Sequence, residues 1–467
     1  MSSAAGAVTD ALCELRTRFV GVRDGEPADY IPQLAMADPE AFGLALISMD
    51  GHRYSAGETD VPFTMQSVSK PFVYALALSE LGLDGVSRWV NAEPSGEAYN
   101  AISLEPGTGR PDNAMVNAGA IVTTALIPDT ADAPRFDRIL DCLSRFAGRQ
   151  LDVDEAVYAS EVATGDRNRA LAYLIRSAGP LPVDPVGAVE TYFRQCSVRV
   201  TTLDLAAMAA TLANGGVNPL NGDVVVEEPV AAQVLAVMAT CGMYDVSGEW
   251  LLRVGLPAKS GVSGGLIAAG PARFGLAAYS PRLDPTGTSV RGRIALRALS
   301  ERLGLHLMHN PALAASTVTL VTTADDLPSA PTEEQERALR EQVAVVAAQG
   351  ALDFTAAERV LYALDESGPE ETASVVLDLR QVTGIDTVAR SMLRSGLARL
   401  TEGGRRTAVV DPAGHLGVTG GDPTAPPALH VARGGRRARC PGGGPPDGLT
   451  APDRAATRWP RPTRGGR

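Results

Sequence analysis

Residues 63–72 read FTMQSVSKPF, and the spacing Ser67-Val68-Ser69-Lys70 inside them governs how the rest of the chain is read. The run continues as SVSKPFVYALALSELGL, whose apolar positions recur with a helical period, so Ser67 and Lys70 fall at a helix start. Residues three apart on a helix share a face, which brings the lysine amine within reach of the serine hydroxyl. That hydroxyl is a poor nucleophile until a base takes its proton. Lysine is such a base only if its pKa falls from about 10.4 to about 7, which takes ~4–5 kcal/mol of differential destabilisation of the ammonium. Burial and a second cation are the means available, and a helix N-terminus favours the developing negative charge.

The second cation has a candidate. Of 42 basic residues only Lys70 and Lys259 are lysine, and the others are arginine, which stays protonated in proteins. Lys259-Ser260-Gly261 opens a strand-like run that continues through Val262. A strand edge beside the serine would offer a backbone N–H to an oxyanion, with the Ser67 N–H as its partner. Ser-x-x-Lys alone reads more readily as a helix cap followed by a solvated lysine; the chain's only other lysine, in a Lys-Ser-Gly triplet, reverses that in favour of the nucleophile. Other chemistries are poorly supplied. His52, His306, His309, His415 and His430 read as surface or packing residues, which argues against a Ser-His-Asp triad. There is no His-Glu-x-x-His, no phosphate-binding loop and no clustered metal ligands, so no cofactor and no metal are expected.

Around this motif the chain alternates in blocks. Residues 5–23 read as an amphipathic helix, and GLALISMD and HRYSAGE as two strands joined at Asp50-Gly51. Helical patterns follow near 117–126, 135–147, 155–177, 200–214 and 228–240. Two more strands, GLIAAG and RFGLAAYS, then precede a helix from about 289 to 303. A strand pair, many helices, then strands and a closing helix make an α+β fold rather than a Rossmann alternation. Polar residues 311–342 read as a linker between a first domain of 1–310 and a smaller α/β unit of 343–413 with β-α-β-α-β order. Residues 414–467 hold twelve Gly, nine Pro and nine Arg with no hydrophobic period, which predicts a disordered tail. An out-of-frame stretch of a GC-rich gene and a solvated basic tail share this composition.

Charge and cysteines bound the partners. The net charge of -12 argues against nucleic acid or an anionic membrane, and the tail's nine Arg against three Asp leave the remainder still more acidic. Cys13, Cys142, Cys196, Cys241 and Cys440 are scattered without a Cys-x-x-Cys pair, as expected of reduced thiols. With no secretory leader and no apolar run long enough to span a bilayer, a cytoplasmic protein is expected.

The segments ADYIPQLA, FTMQSVSKPF, RPDNAMVNAGAI, EVATGDRNRALAY, TYFRQCSV, CGMYDVSGEW and VGLPAKSGVSGG, in this order, resemble the serine-dependent glutaminase family over roughly residues 20–305. The resemblance implies a serine β-lactamase-like fold, an antiparallel sheet with a helical subdomain, and hydrolysis of L-glutamine. It implies Ser67 as nucleophile, Lys70 as base with Lys259 nearby, and Tyr244 as a proton relay. It assigns the oxyanion hole to the backbone N–H groups of Ser67 and Val262. Glu161 and Asn168 would hold the amino acid end, with Tyr30, Gln66, Asn117 and Tyr192 completing the pocket. A homodimer or homotetramer is also implied. Ser-x-x-Lys with Lys-Thr-Gly marks β-lactamases and penicillin-binding proteins, so a β-lactam-reactive acyl enzyme is the rival; no Ser-x-Asn or Tyr-x-Asn triplet supports it. Thr288 stands where the family usually has Asn.

Residues 343–413 resemble a STAS domain more loosely. There GIDTVAR replaces the phosphorylatable Asp-Ser-Ser-Gly type, with Val388 at the usual serine position and Thr387 beside it. From its sequence the unit is expected to lack its final helix. A regulatory protein acting through this unit and a protein partner is the reading from another class.

Overall fold

The computed structural model describes residues 6–96, 104–130, 133–179, 181–308, 318–323, 343–366, 374–417 and 430–431. Residues 6–308 form one unit and the later residues a second, each with its own core. In the first unit, in chain order, lie α1 (Gly6–Phe19), α2 (Pro32–Ala35), β1 (Gly43–Ser48), β2 (Arg53–Gly57), β3 (Phe63–Thr64) and α3 (Lys70–Ser87). Then come α4 (Asn117–Leu126), α5 (Arg135–Ala147), β4 (Asp152–Val153), α6 (Glu155–Thr164), α7 (Asp166–Ala178) and α8 (Pro185–Cys196). The unit closes with β5 (Val198–Val200), α9 (Thr202–Ala213), α10 (Glu228–Cys241), α11 (Ser247–Arg253), β6 (Ala258–Ser260), β7 (Gly265–Gly270), β8 (Phe274–Tyr279) and α12 (Val290–Leu303).

The main sheet is antiparallel with strand order β2-β1-β8-β7-β6, so the early hairpin pairs with the late one through β1 and β8. Side chains alternate across it as a two-faced sheet requires. Leu44, Leu46, Leu266, Ala268 and Leu276 enter one core with Leu12 and Leu15 of α1 and Leu296 and Leu299 of α12. Ala45, Ile47, Ile267, Ala269 and Ala277 enter the other, which holds the buried helix α9. Thr201 and Asp204 close a reciprocal capping box at the start of that helix. Its sequence, TLDLAAMAATLA, is apolar all round because both sides are covered, one by the sheet and one by α5 and α10. This is the expected antiparallel sheet with its helical subdomain.

Two local expectations are corrected. The single helix expected over 155–177 is two, broken at Gly165, where an added Cβ would lie 2.1 Å from the Phe193 ring. Helices α8 and α11 were not read from the pattern; their apolar positions are interrupted by Thr, Arg, Gln and Glu side chains.

The second unit contains β9 (Val318–Thr323), β10 (Val343–Leu352), α13 (Phe354–Glu366), β11 (Ser374–Ile385), α14 (Thr387–Glu402), β12 (Arg406–Val410) and β13 (His430–Val431). Strands β10 to β13 run parallel and β9 joins antiparallel, in the order β13-β12-β11-β10-β9. Val346, Leu377, Leu393 and Leu397 lie in the core between sheet and helices. The β9 strand lies inside the stretch expected to be linker, and its VTLVTT run is the β-branched signal that the polar surroundings obscured. The expected tail is corrected at its start, since Leu416 is buried and His430–Val431 pair with β12. The rest of the tail lies outside the described residues. Val388 is 54 % exposed at the start of α14.

Packing of α9 on the sheet depends on one small residue. A Cβ at Gly275 of β8 would lie 2.1 Å from the Ala210 backbone nitrogen of α9. Gly275→Ala is therefore expected to cost about 1–3 kcal/mol through forced separation of helix and sheet. A lowered thermal midpoint checks this; an unchanged midpoint would contradict it.

Candidate active site

Ser67 is held by a turn that the chain does not adopt without support. Gln66 has φ of 48°, in the left-handed region that a side chain disfavours, at a cost of roughly 1–3 kcal/mol. Gln66–Ser69 then form one turn of 3-10 helix, closed by the Lys70 N–H donating to the Ser67 carbonyl. Side chains three apart eclipse in a 3-10 turn, which sets Ser67 and Lys70 on one side more strictly than an α-helix would. The expected helix start is thus a 3-10 turn leading into α3, with Pro71 in its first turn. Ser67 is buried, at 8 % exposure, and Lys70 entirely so.

The Lys259 strand lies against this turn. A Cβ at Gly261 would come within 2.9 Å of Val68 Cγ2 and 3.0 Å of the Met65 carbonyl, so glycine permits the approach. Gly261 and Gly265 close the loop that carries Val262, which packs against the Ile31, Leu34 and Val157 cluster. The Ser260 and Ser263 hydroxyls on the same segment are buried without a hydrogen-bond partner among the described residues.

Two buried amines sit beside Ser67. Lys70 Nζ donates to Asn117 Oδ1 at 2.6 Å, and Lys259 Nζ to the Ser260 carbonyl at 2.6 Å. The Tyr244 ring stands next to both, its centroid 3.9 Å from Lys259 Nζ and 5.7 Å from Lys70 Nζ. Its face meets the Lys259 amine at cation–π distance. Tyr244 itself has φ of 55°, the second strained side chain of the site. Burial lowers the Lys70 pKa to about 8, against an ordinary value of 10.5. Burial first, and repulsion from Lys70 second, hold Lys259 well below its ordinary value. The sequence reading had Lys259 as the cation that depresses Lys70. In the structure burial depresses both lysines first, and the repulsion between the two amines comes second.

Asn117 links the amines to the helices. It begins α4, its Nδ2 donates to Asn168 Oδ1 at 3.0 Å, and its Oδ1 accepts from Tyr192 Oη at 3.4 Å. Asn168 is on α7 and Tyr192 on α8, so three helices converge on one amide.

A carboxylate occupies the other side of the 66–70 turn. Glu161 of α6 is buried, and its Oε1 accepts from Tyr30 Oη at 2.8 Å and from Gln66 Nε2 at 3.1 Å. Tyr30 keeps 46 % of its surface exposed while its hydroxyl turns inward. Among the described residues no basic side chain pairs with Glu161, and burial raises its pKa above the usual carboxylate value. The break at Gly165 lets Glu161 and Asn168 reach different parts of the site from consecutive helices.

The structure thus brings Tyr30, Gln66, Glu161, Lys70, Asn117, Asn168, Tyr192, Tyr244 and Lys259 together around the Ser67 turn, and sets Val262 on the loop beside it. Sequence reasoning did not single out Cys196, a buried thiol on α8 whose pKa burial raises to about 12. Its place in TYFRQCSV, four residues after Tyr192, was the available signal. The described residues contain no group of His, Cys, Asp and Glu fit to hold a metal ion.

The antiparallel sheet, its helical subdomain and the Ser-x-x-Lys turn define a β-lactamase-like fold, followed by a STAS domain. Residues 25–308 match the profile of the family Glutaminase, and residues 334–416 that of the STAS domain. The chain belongs to the glutaminase family and is an enzyme of that family. It is 44% identical over 396 residues to a glutaminase of Corynebacterium glutamicum, covering 84% of this chain and 92% of that protein. It is 53% identical over 283 residues to a glutaminase of Clavibacter michiganensis, covering 60% of this chain and 86% of that protein. A crystal structure of Mglu matches with TM-score 0.76 and 43% identity, over 88% of this chain and 99% of that one.

A buried carboxylate without a cation destabilises the free protein. Its folded pKa is raised, so its ionisation costs stability above the folded pKa and nothing below the unfolded value of about 4.3. Glu161→Gln keeps an acceptor for Tyr30 and Gln66. The variant is expected to melt higher than wild type near neutral pH, with a gain that shrinks as pH falls towards 4. Paired melting curves across that range check this; a variant that melts lower at neutral pH would contradict it.

Proposed function

We propose that the enzyme hydrolyses L-glutamine to L-glutamate and ammonia through an acyl-enzyme on Ser67. The observation that carries this reading is the pairing of one cation-free buried carboxylate, Glu161, with two buried amines across a single serine turn. A free amino acid presents the complementary groups, an α-ammonium for Glu161 and a side-chain amide for Ser67. The names of the similar enzymes support the same substrate.

In this reading neutral Lys70 takes the Ser67 proton as the oxygen attacks the side-chain amide carbon. The oxyanion draws on the Ser67 and Val262 N–H groups. Protonation of the amide nitrogen, by way of Lys70 and Tyr244, releases ammonia and leaves a γ-glutamyl ester. Water then adds with the same base, and glutamate departs from a restored Ser67 hydroxyl. Asn117 holds the Lys70 amine in line, and Asn168 and Tyr192 hold Asn117. The four cysteines among the described residues are free, which fits a reducing compartment and a cytoplasmic enzyme, and a homodimer or homotetramer is the assembly this reading carries. Among the described residues no single helix is long and apolar enough to cross a membrane.

Ammonia release from L-glutamine, but not from L-asparagine or D-glutamine, is the expected result for wild type, with loss of at least ~10³-fold in Ser67→Ala. Turnover that survives in Ser67→Ala would overturn the nucleophile. Because the base must be neutral, kcat/KM is expected to rise with pH along a limb near 8, and Lys70→Arg to abolish it. A flat profile between pH 6 and 9, or an active Lys70→Arg, would refute the lysine base.

A further inference from the structure

A buried file of hydrogen bonds runs from the helices to the strained residue before Ser67. Thr124 Oγ1 donates to Gln195 Oε1 at 2.8 Å, and Gln195 Nε2 donates to Ser69 Oγ at 3.0 Å. Ser69 Oγ then donates to the Gln66 carbonyl at 2.7 Å. Thr124, Gln195 and Ser69 are each wholly buried. The three come from different elements, α4, α8 and the 3-10 turn, and none of them touches the Glu161 or lysine groups through a hydrogen bond described above.

The file has a direction. A glutamine amide has one accepting and one donating end. Thr124 occupies the accepting end, so the donating end faces Ser69. Ser69 therefore accepts from Gln195, and its single proton is committed to the Gln66 carbonyl. Rotation of the amide by half a turn would make Ser69 donate to Gln195 instead and free the Gln66 carbonyl. That carbonyl belongs to the peptide joining left-handed Gln66 to Ser67. Its orientation sets both the Ser67 N–H and the direction of the Ser67 side chain.

The spacing also ties the file to the site. Thr124 lies two helical turns after Asn117 on α4, and Gln195 one turn after Tyr192 on α8, so each shares a face with a residue of the amine cluster. The helices that hold the Lys70 amine through Asn117 thus also hold the nucleophile turn. We propose that Thr124, Gln195 and Ser69 are positioning residues that fix the left-handed Gln66 peptide and so keep the Ser67 hydroxyl and N–H aimed for acylation. This rests on the acyl-enzyme reading above, but its test does not depend on the identity of the substrate.

The test uses the full chain in four forms: wild type, Ser69→Ala, Thr124→Val and the double variant, with Thr124→Ser as the conservative control. Two rates are read, kcat and KM for L-glutamine and the labelling of Ser67 by a fluorophosphonate, located by peptide mass spectrometry. Ser69→Ala and Thr124→Val are each expected to lower kcat and labelling about tenfold to a hundredfold, or ~1.4–2.7 kcal/mol, with KM moved less than about threefold. Thr124→Ser restores the hydroxyl and is expected to restore both rates. In the double variant the two losses should not add, since a file broken at Ser69 no longer transmits what Thr124 does. Additive losses, a failure of Thr124→Ser to rescue, or a rise in KM without a fall in kcat would overturn the proposal in favour of simple packing. If wild type labels at Ser67 yet releases no ammonia, the substrate reading fails while the labelling rates still decide the positioning role. Should Ser69→Ala not fold, Thr124→Val against Thr124→Ser carries the comparison alone.

Discussion

Two amines taken out of water, with no carboxylate paired to either among the described residues, are the constraint on which this site turns. Lys70 and Lys259 are both fully buried, and their hydrogen bonds go to an amide oxygen and a backbone carbonyl, neutral acceptors that do not hold a proton in place. Pairing either with a buried aspartate would favour its charged form and raise its pKa again. The surroundings supply instead an asparagine, a tyrosine face and apolar packing. The opposite end of the site mirrors this with a buried carboxylate, Glu161, that no basic side chain among the described residues pairs. The site thus holds a buried carboxylate at one end and two buried amines with depressed pKa at the other.

Holding such groups together requires support from the rest of the fold. Two residues of the site, Gln66 and Tyr244, adopt left-handed backbone that costs energy. The supports are buried and polar: helix α4 through Asn117, helix α8 through Tyr192, and strand β6 pressed close by Gly261. The antiparallel sheet fixes β6, and α9 anchors that sheet to the helices. The strain at the site is thus distributed over the whole first unit, whose large core carries it.

The chemistry was more legible in the sequence than its scaffold. Ser67 and Lys70 stand out because spacing alone puts them on one face, and Lys259 because the chain contains no other lysine. Glu161, Asn117 and Tyr192 needed the family resemblance, since a lone Glu or Asn on a helix carries no local signal of burial. Burial and a second cation were both legible as means of depressing the lysine, but which of them dominates depends on tertiary packing that no local pattern encodes. It ran α6 and α7 together, because the apolar period continues through Gly165 and the break is imposed by Phe193 from another helix. It missed strand β9 for a different reason, namely that six β-branched and apolar residues were outweighed by a long charged neighbourhood.

The chain's two lysines make the central claim open to direct observation. Protein grown with lysine labelled at Cε gives one signal from Lys70 and one from Lys259, assigned with Lys259→Arg and followed by NMR across pH. The account predicts that Lys70 titrates near 8 and that Lys259 also titrates well below the ordinary lysine value. Two signals that both titrate near about 10.4, as solvated lysines do, would contradict it.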